Sequence, residues 1–226
     1  MKYSSSIFSS GFKYIVYLYV LIGFNLTLSS SYDEFFKAIE FDDAPAVQQL
    51  LNRGFDPNTP TNGLQTPLIL AIQKDSLRVS QILLANPQLQ VNRPNPNDET
   101  PLMLAALKGR VSLVTQLIQR GADVNRTGWT PLHYASTSGN VAVIRLLLEH
   151  HAYIDAESPN GTTPLMMAAY YGTPEATKLL LEEGADPLVR NYKGLSALDF
   201  AHNGPHQESA RYVEAFMRAA MAKQSK

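Results

Sequence analysis

The sequence predicts an all-α solenoid of about six stacked helix-loop-helix units, from three periodic marks. An alanine recurs at Ala38, Ala71, Ala105, Ala135, Ala168 and Ala201, at spacings of 33, 34, 30, 33 and 33 residues. Three residues before each stands Phe35, Leu68, Leu102, Leu132, Leu165 or Leu198, and twelve after each stands Leu50, Leu83, Leu117, Leu147, Leu180 or Val213. A small residue repeated where helices touch permits close backbone approach, and a repeated apolar residue builds a shared core.

One whole unit is contained in Thr130 to Asp155. Thr130 offers a hydroxyl N-cap, Pro131 suits the first helical position, and Gly139 can close the helix in the left-handed region. A second helix follows from about Asn140 to His150, with Val141, Ile144, Leu147 and Leu148 on one face. Helices this short are marginal alone and must stack on their neighbours.

The motifs TPLH at Thr130 to His133, TPL at Thr66, Thr100 and Thr163, and GADVN at Gly121 to Asn125 give the chain its resemblance to ankyrin repeats. The resemblance covers residues 32–222, with repeats at about 32–58, 66–92, 100–125, 130–155, 163–188 and 196–221. It implies an ankyrin-repeat solenoid with β-hairpin fingers between the helix pairs and a concave face that binds other proteins.

Residues 1–31 differ in composition from the remainder. No acidic residue precedes Asp33; Lys2 and Lys13 lead into the apolar run Tyr14 to Leu28, and Ser29, Ser30 and Ser31 follow. Basic start, short apolar centre and small residues read as a secretory signal peptide cleaved after Ser31 or Ser29. Fifteen residues fall short of the roughly 20 that span a bilayer, so no stable membrane insertion is expected after cleavage; an uncleaved anchor is the alternative. With this leader and no cysteine, the protein resembles exported bacterial ankyrin-repeat proteins, located in the periplasm or secreted.

From Tyr32 onward 17 basic residues face 20 acidic ones, a formal charge of −3. That balance carries no basic footprint for nucleic acid. The expected partner is another protein, bound by a monomer without a cofactor.

Taken in order, the first repeat reads as an end cap, with Asp33 as N-cap and Asp42, Asp43, Gln48, Gln49 and Arg53 on the uncovered side. In the second, Asn86 and Pro87 replace the glycine turn, and Pro94 and Pro96 stiffen the following finger. The third is regular, but only Arg126, Thr127, Gly128 and Trp129 separate Asn125 from Thr130, so that finger is three residues short. In the fourth, His151 stands in place of the closing glycine; the fifth returns to Gly184, Ala185 and Asp186. The last opens on Ser196 and ends in a longer helix, about Gln207 to Met221, followed by a frayed tail at 223–226.

A search for chemistry yields little. His150 and His151 are adjacent, and His202 and His206 are separated by a Gly204-Pro205 break that spoils helical alignment. His133 is the histidine of TPLH, suited to tying a helix start to its neighbour. No phosphate loop, nucleophile elbow or zinc-protease motif occurs. The main reading is a protein-binding adaptor and no enzyme. A histidine- or metal-dependent enzyme built on His133, His150 and His151 is the alternative from another class, and a secreted effector or toxin-neutralising protein is a third. Two glycosylation sequons, Asn125-Arg126-Thr127 and Asn160-Gly161-Thr162, fall in fingers where the repeat itself favours asparagine.

In this register the resemblance places the binding face on the residue before each threonine and on the two after the alanine pair. Candidate contacts are Leu107, Lys108, Arg126, Trp129, Tyr170, Tyr171 and, on the last finger, Tyr192; Thr162 falls on the same face. Tyrosine and tryptophan without a core role in the repeat suit interface hot spots.

Overall fold

A computed structural model describes residues 31–224. The leader expected over residues 1–31 therefore lies outside the described residues, apart from Ser31 at the head of the first helix. Twelve helices occur among the described residues: α1 (31–40), α2 (Ala44–Asn52), α3 (Pro67–Gln73), α4 (Leu77–Ala85), α5 (Pro101–Leu107) and α6 (Val111–Gln119), then α7 (Pro131–Ser138), α8 (Val141–Glu149), α9 (Pro164–Tyr171), α10 (Pro174–Glu182), α11 (Ala197–Asn203) and α12 (Gln207–Gln224). They pair in sequence, and the odd-numbered helices from α3 to α11 stack as one layer while the even-numbered helices form the second.

The repeated cap sets each start. The hydroxyls of Thr66, Thr100, Thr130, Thr163 and Ser196 each accept the backbone N–H three residues on, at 3.3–3.4 Å. Gly139 closes α7 at φ +67°, as expected, and His151 takes the same left-handed turn at φ +63°. Asp33, expected as an N-cap, instead lies inside α1. It is followed by Glu34 rather than proline, so nothing forces the preceding residue out of helical geometry. The final helix also runs through residue 224, past the expected end at Met221. Its Val213 is buried and Phe216 packs on the core, while Arg211 and Arg218 remain exposed.

Every repeated alanine is buried, with Ala135 and Ala168 at zero exposure, and the apolar marks around them join one core running the length of the array. A polar ladder ties successive units at the outer ends of the second helices. Asn58 accepts from Gln90 N–H and donates to the Gln88 carbonyl, and Asn92 bonds Asp123 N–H and the Gly121 carbonyl in the same way. Asn125 repeats it with Tyr153 N–H and the His151 carbonyl, both at 2.8 Å. Asp155 completes the row as an acceptor only, for Asp186 N–H.

The fingers differ from the expected hairpins: no strand forms among the described residues, and the one antiparallel bridge there is Arg190 with Ser196. Each full finger is a five-residue turn. Thr61, Asn95, Ser158 and Asn191 donate their N–H to the carbonyl four residues later at 2.9–3.0 Å, while their side chains accept the N–H of that same later residue. A side chain thus occupies the donor that a ladder would need.

Candidate protein-binding groove

At the short junction the sequence Arg126-Thr127-Gly128-Trp129 cannot build such a turn, and its side chains reach back instead. Nη2 of Arg126 stands 2.8 Å from both carboxylate oxygens of Asp98, and Nη1 donates to the Asp98 carbonyl at 2.9 Å. Its side chain is 23 % exposed, so Arg126 braces the preceding finger. Trp129 is half-buried and meets the imidazole of His133 edge-on, with ring centroids 5.2 Å apart.

Beside it lies a groove of about 230 Å³ walled by Leu107, Trp129, His133, Tyr134, Thr137 and Met167, drawn from α5, α7, α9 and the short junction. Its polar groups are internally satisfied. Tyr134 donates to a Glu99 carboxylate oxygen at 3.1 Å; burial first, and then that carboxylate, push its hydroxyl up to about 12. Thr137 donates to the His133 carbonyl at 2.8 Å. Thr130 N–H donates to His133 Nδ1 at 3.2 Å, which leaves the ring proton on Nε2 to donate to the Thr162 carbonyl at 2.9 Å. Burial pushes this histidine down to about 4, so it is neutral at pH 7. What the groove offers a ligand is apolar surface and ring faces, with no charged nucleophile or general acid on its walls.

The structure brings Leu107 and Trp129 together in this groove and sets the other candidates apart. Lys108 is paired with Asp75 at 2.8 Å. Tyr170 packs on Tyr171 at 4.4 Å and on Phe200 at 6.4 Å, leaving Tyr171 exposed on the outside of that cluster. Tyr192 is 72 % exposed but anchored: its N–H bonds the Asn160 carbonyl, its hydroxyl donates to Glu157, and its ring lies against Gly161, where a Cβ would stand 2.7 Å away. Thr162, expected on the face, is buried, because Ser158 Oγ takes its N–H and His133 holds its carbonyl inward. Of the three histidines in the enzyme alternative, only His133 lines the groove; His150 and His151 are exposed at the end of α8. Among the described residues, no group of three or more His, Cys, Asp or Glu side chains gathers to hold a metal.

Tyr134 and Met167 are groove residues that the periodicity concealed. They precede the marker alanine, a position filled by the buried Leu70 and Leu104 in earlier repeats, so the pattern reads them as core. The available signal was size and polarity: a tyrosine there needs a polar partner for its hydroxyl and cannot be wholly enclosed.

Comparison with known proteins agrees with this geometry. A family model for ankyrin repeats in three copies matches residues 35–127 and 87–158, and one for ankyrin repeats in many copies matches 147–201. The chain belongs to the ankyrin-repeat family. It is 30 % identical over 210 residues to mouse NF-kappa-B inhibitor zeta, covering 74 % of this chain and 29 % of that protein. It is 29 % identical over 166 residues to human transient receptor potential cation channel subfamily A member 1, covering 68 % of this chain and 15 % of the channel. The chain thus spans less than a third of the length of either relative. Among solved structures, the human ASB11 ankyrin repeat domain superposes with a TM-score of 0.72 at 25 % identity, over 80 % of this chain and 82 % of that one. Ankyrin-repeat arrays are binding scaffolds for other proteins, and this one carries a scaffold's architecture.

Proposed function

We propose that this ankyrin-repeat protein is an exported adaptor, periplasmic or secreted, that binds another protein as a monomer through its concave face and catalyses no reaction. The observation that carries the binding reading is the groove beside the short junction, where Leu107, Trp129 and Met167 offer apolar surface to a partner's side chain. Lys2, Lys13, the apolar run to Leu28 and the serines after it support export. Among the described residues no helix is long and apolar enough to cross a membrane.

Two measurements test the two halves of this reading. Partner capture with the wild-type protein and with Trp129→Ala, from each cellular fraction, is expected to retain a protein on the wild type and lose it on the variant. Equal retention on both removes the groove from the reading. N-terminal sequencing of the exported product is expected to begin at Tyr32 or Ser30, whereas intact Met1 in a membrane fraction overturns cleavage.

A further inference from the structure

Three asparagine-glycine pairs occur among the described residues, at Asn62-Gly63, Asn160-Gly161 and Asn203-Gly204, and their backbones are held in different ways. The chemistry open to such a pair is succinimide formation. The backbone nitrogen of the glycine, after losing its proton, attacks the carbonyl carbon of the asparagine carboxamide. A C–N bond forms there, the carboxamide's own C–N bond breaks, and the amino group leaves as ammonia. Water then opens the ring at either carbonyl to give aspartate or isoaspartate, so the net change consumes one water and releases one ammonia, with no oxidant or enzyme required.

The attacking nitrogen must be free, and the asparagine carboxamide must be able to swing onto it. At Asn160 neither holds, since Gly161 N–H is bonded to the Ser158 carbonyl at 2.8 Å, Gly161 is buried, and the Asn160 Oδ1 accepts from Ser158 Oγ. At Asn203 the Gly204 N–H is bonded to the Ala201 carbonyl, and the Asn203 Nδ2 donates to the Asp199 carbonyl at 2.8 Å. Asn62 and Gly63 occupy the two central positions of the first finger. The turn is closed around them by Leu64 N–H to the Thr61 carbonyl and Thr61 N–H to the Gln65 carbonyl, so Gly63 N–H is left unbonded at an exposed tip. The Asn62 carboxamide has one long contact, 3.3 Å from its oxygen to the Tyr32 hydroxyl, whose single proton also faces the Pro60 carbonyl at 3.2 Å, so the carboxamide is only loosely held.

We infer that Asn62 is a self-modifying site at which the folded protein converts to aspartate and isoaspartate, selectively among its three asparagine-glycine pairs. The product adds a negative charge to the first finger. Where isoaspartate forms, it lengthens the backbone inside the turn that positions Gln65 and Thr66, so an aged protein differs from a new one at that end of the array.

The test is to hold the full-length protein at mildly alkaline pH and 37 °C and follow the tryptic peptide 54–74 by mass and by isoaspartate-specific methylation. Conversion at Asn62 is expected to run several-fold faster than at Asn160 or Asn203, and the three rates are expected to converge in urea, where the turns are gone. Gly63→Ala is expected to slow conversion without loss of folding, since an added Cβ meets nothing closer than Thr61 Oγ1 at 3.7 Å. Equal rates in the folded protein, or the same ranking in urea, overturn the proposal.

Discussion

His133 Nε2 donates to the Thr162 carbonyl oxygen at 2.9 Å, across the boundary between the fourth and fifth repeats, while Nδ1 accepts from Thr130 N–H at the start of its own helix. One neutral ring thus joins a helix start to the next finger, and a second ring proton, placed on Nδ1, would remove the acceptor that Thr130 N–H uses. The unfolded state binds a proton near the ordinary histidine value of 6.5, whereas the folded state resists it down to about 4. Below pH 6.5 the unfolded state binds more protons, so stability falls as pH drops through that window and is complete above it. The expected loss is roughly 1 kcal/mol by about pH 5.5 and roughly 3 kcal/mol by about pH 4. Denaturant melts of wild type and His133→Gln at paired pH values check this; the variant is expected to lose most of the slope above about pH 5.

Asp155 occupies the ladder position held by Asn58, Asn92 and Asn125 but has no donor to offer. Burial pushes its carboxyl above the usual range, and the neighbouring Asp186 charge adds to that. Asp155→Asn supplies the missing N–H toward the fifth repeat and is expected to stabilise the array by about 0.5–1 kcal/mol at neutral pH. A chemical melt reads the gain.

Ser136 Oγ is buried without a hydrogen-bond partner, at the register position where Ala106 and Ala169 stand in the adjacent repeats. Removing an orphaned hydroxyl of this kind relieves about 1 kcal/mol or more. Ser136→Ala is therefore expected to raise the denaturation midpoint without changing the slope of the transition.

Ala135 has zero exposure at the centre of the array, and its helix packs on both α5 and α9. Ala135→Leu overpacks that contact at a cost of about 1–3 kcal/mol, while His150→Ala, at an exposed helix end, stays within about 0.5 kcal/mol. Reversal of that order in equilibrium melts is incompatible with this packing.

Trp129 and Tyr170 separate as probes of the binding face. Trp129→Ala is expected to weaken partner binding by about 2 kcal/mol or more with a small effect on the melt, because the ring is half open to the groove. Tyr170→Ala removes contacts to Tyr171 and Phe200, so its loss of binding should come with a measurable loss of stability. Titration calorimetry beside thermal melts distinguishes the two.

Much of the architecture was legible in the sequence because it is written in short-range rules. Thr130, Pro131 and Gly139 specify where a helix begins and ends through groups a few bonds away, and Ala135 repeated at a near-constant period specifies what stacks on what. The same reasoning located the short junction and its tryptophan, and assigned His133 to tying a helix start to its neighbour.

What the sequence determined by itself is therefore the repeat, its register and its capping, since each depends on local backbone chemistry and on the spacing of apolar residues. Only the tertiary structure decided which surface residues are available to a partner. Arg126 is taken up by Asp98 and Lys108 by Asp75, Tyr192 leans on the neighbouring finger, and Thr162 turns inward. It was also the tertiary structure that made Tyr134 and Met167 walls of a groove rather than core. Those outcomes depend on partners about 30 residues away in the sequence, which one-dimensional spacing cannot rank, because a charge or a ring fits several neighbours equally well until the repeats are stacked.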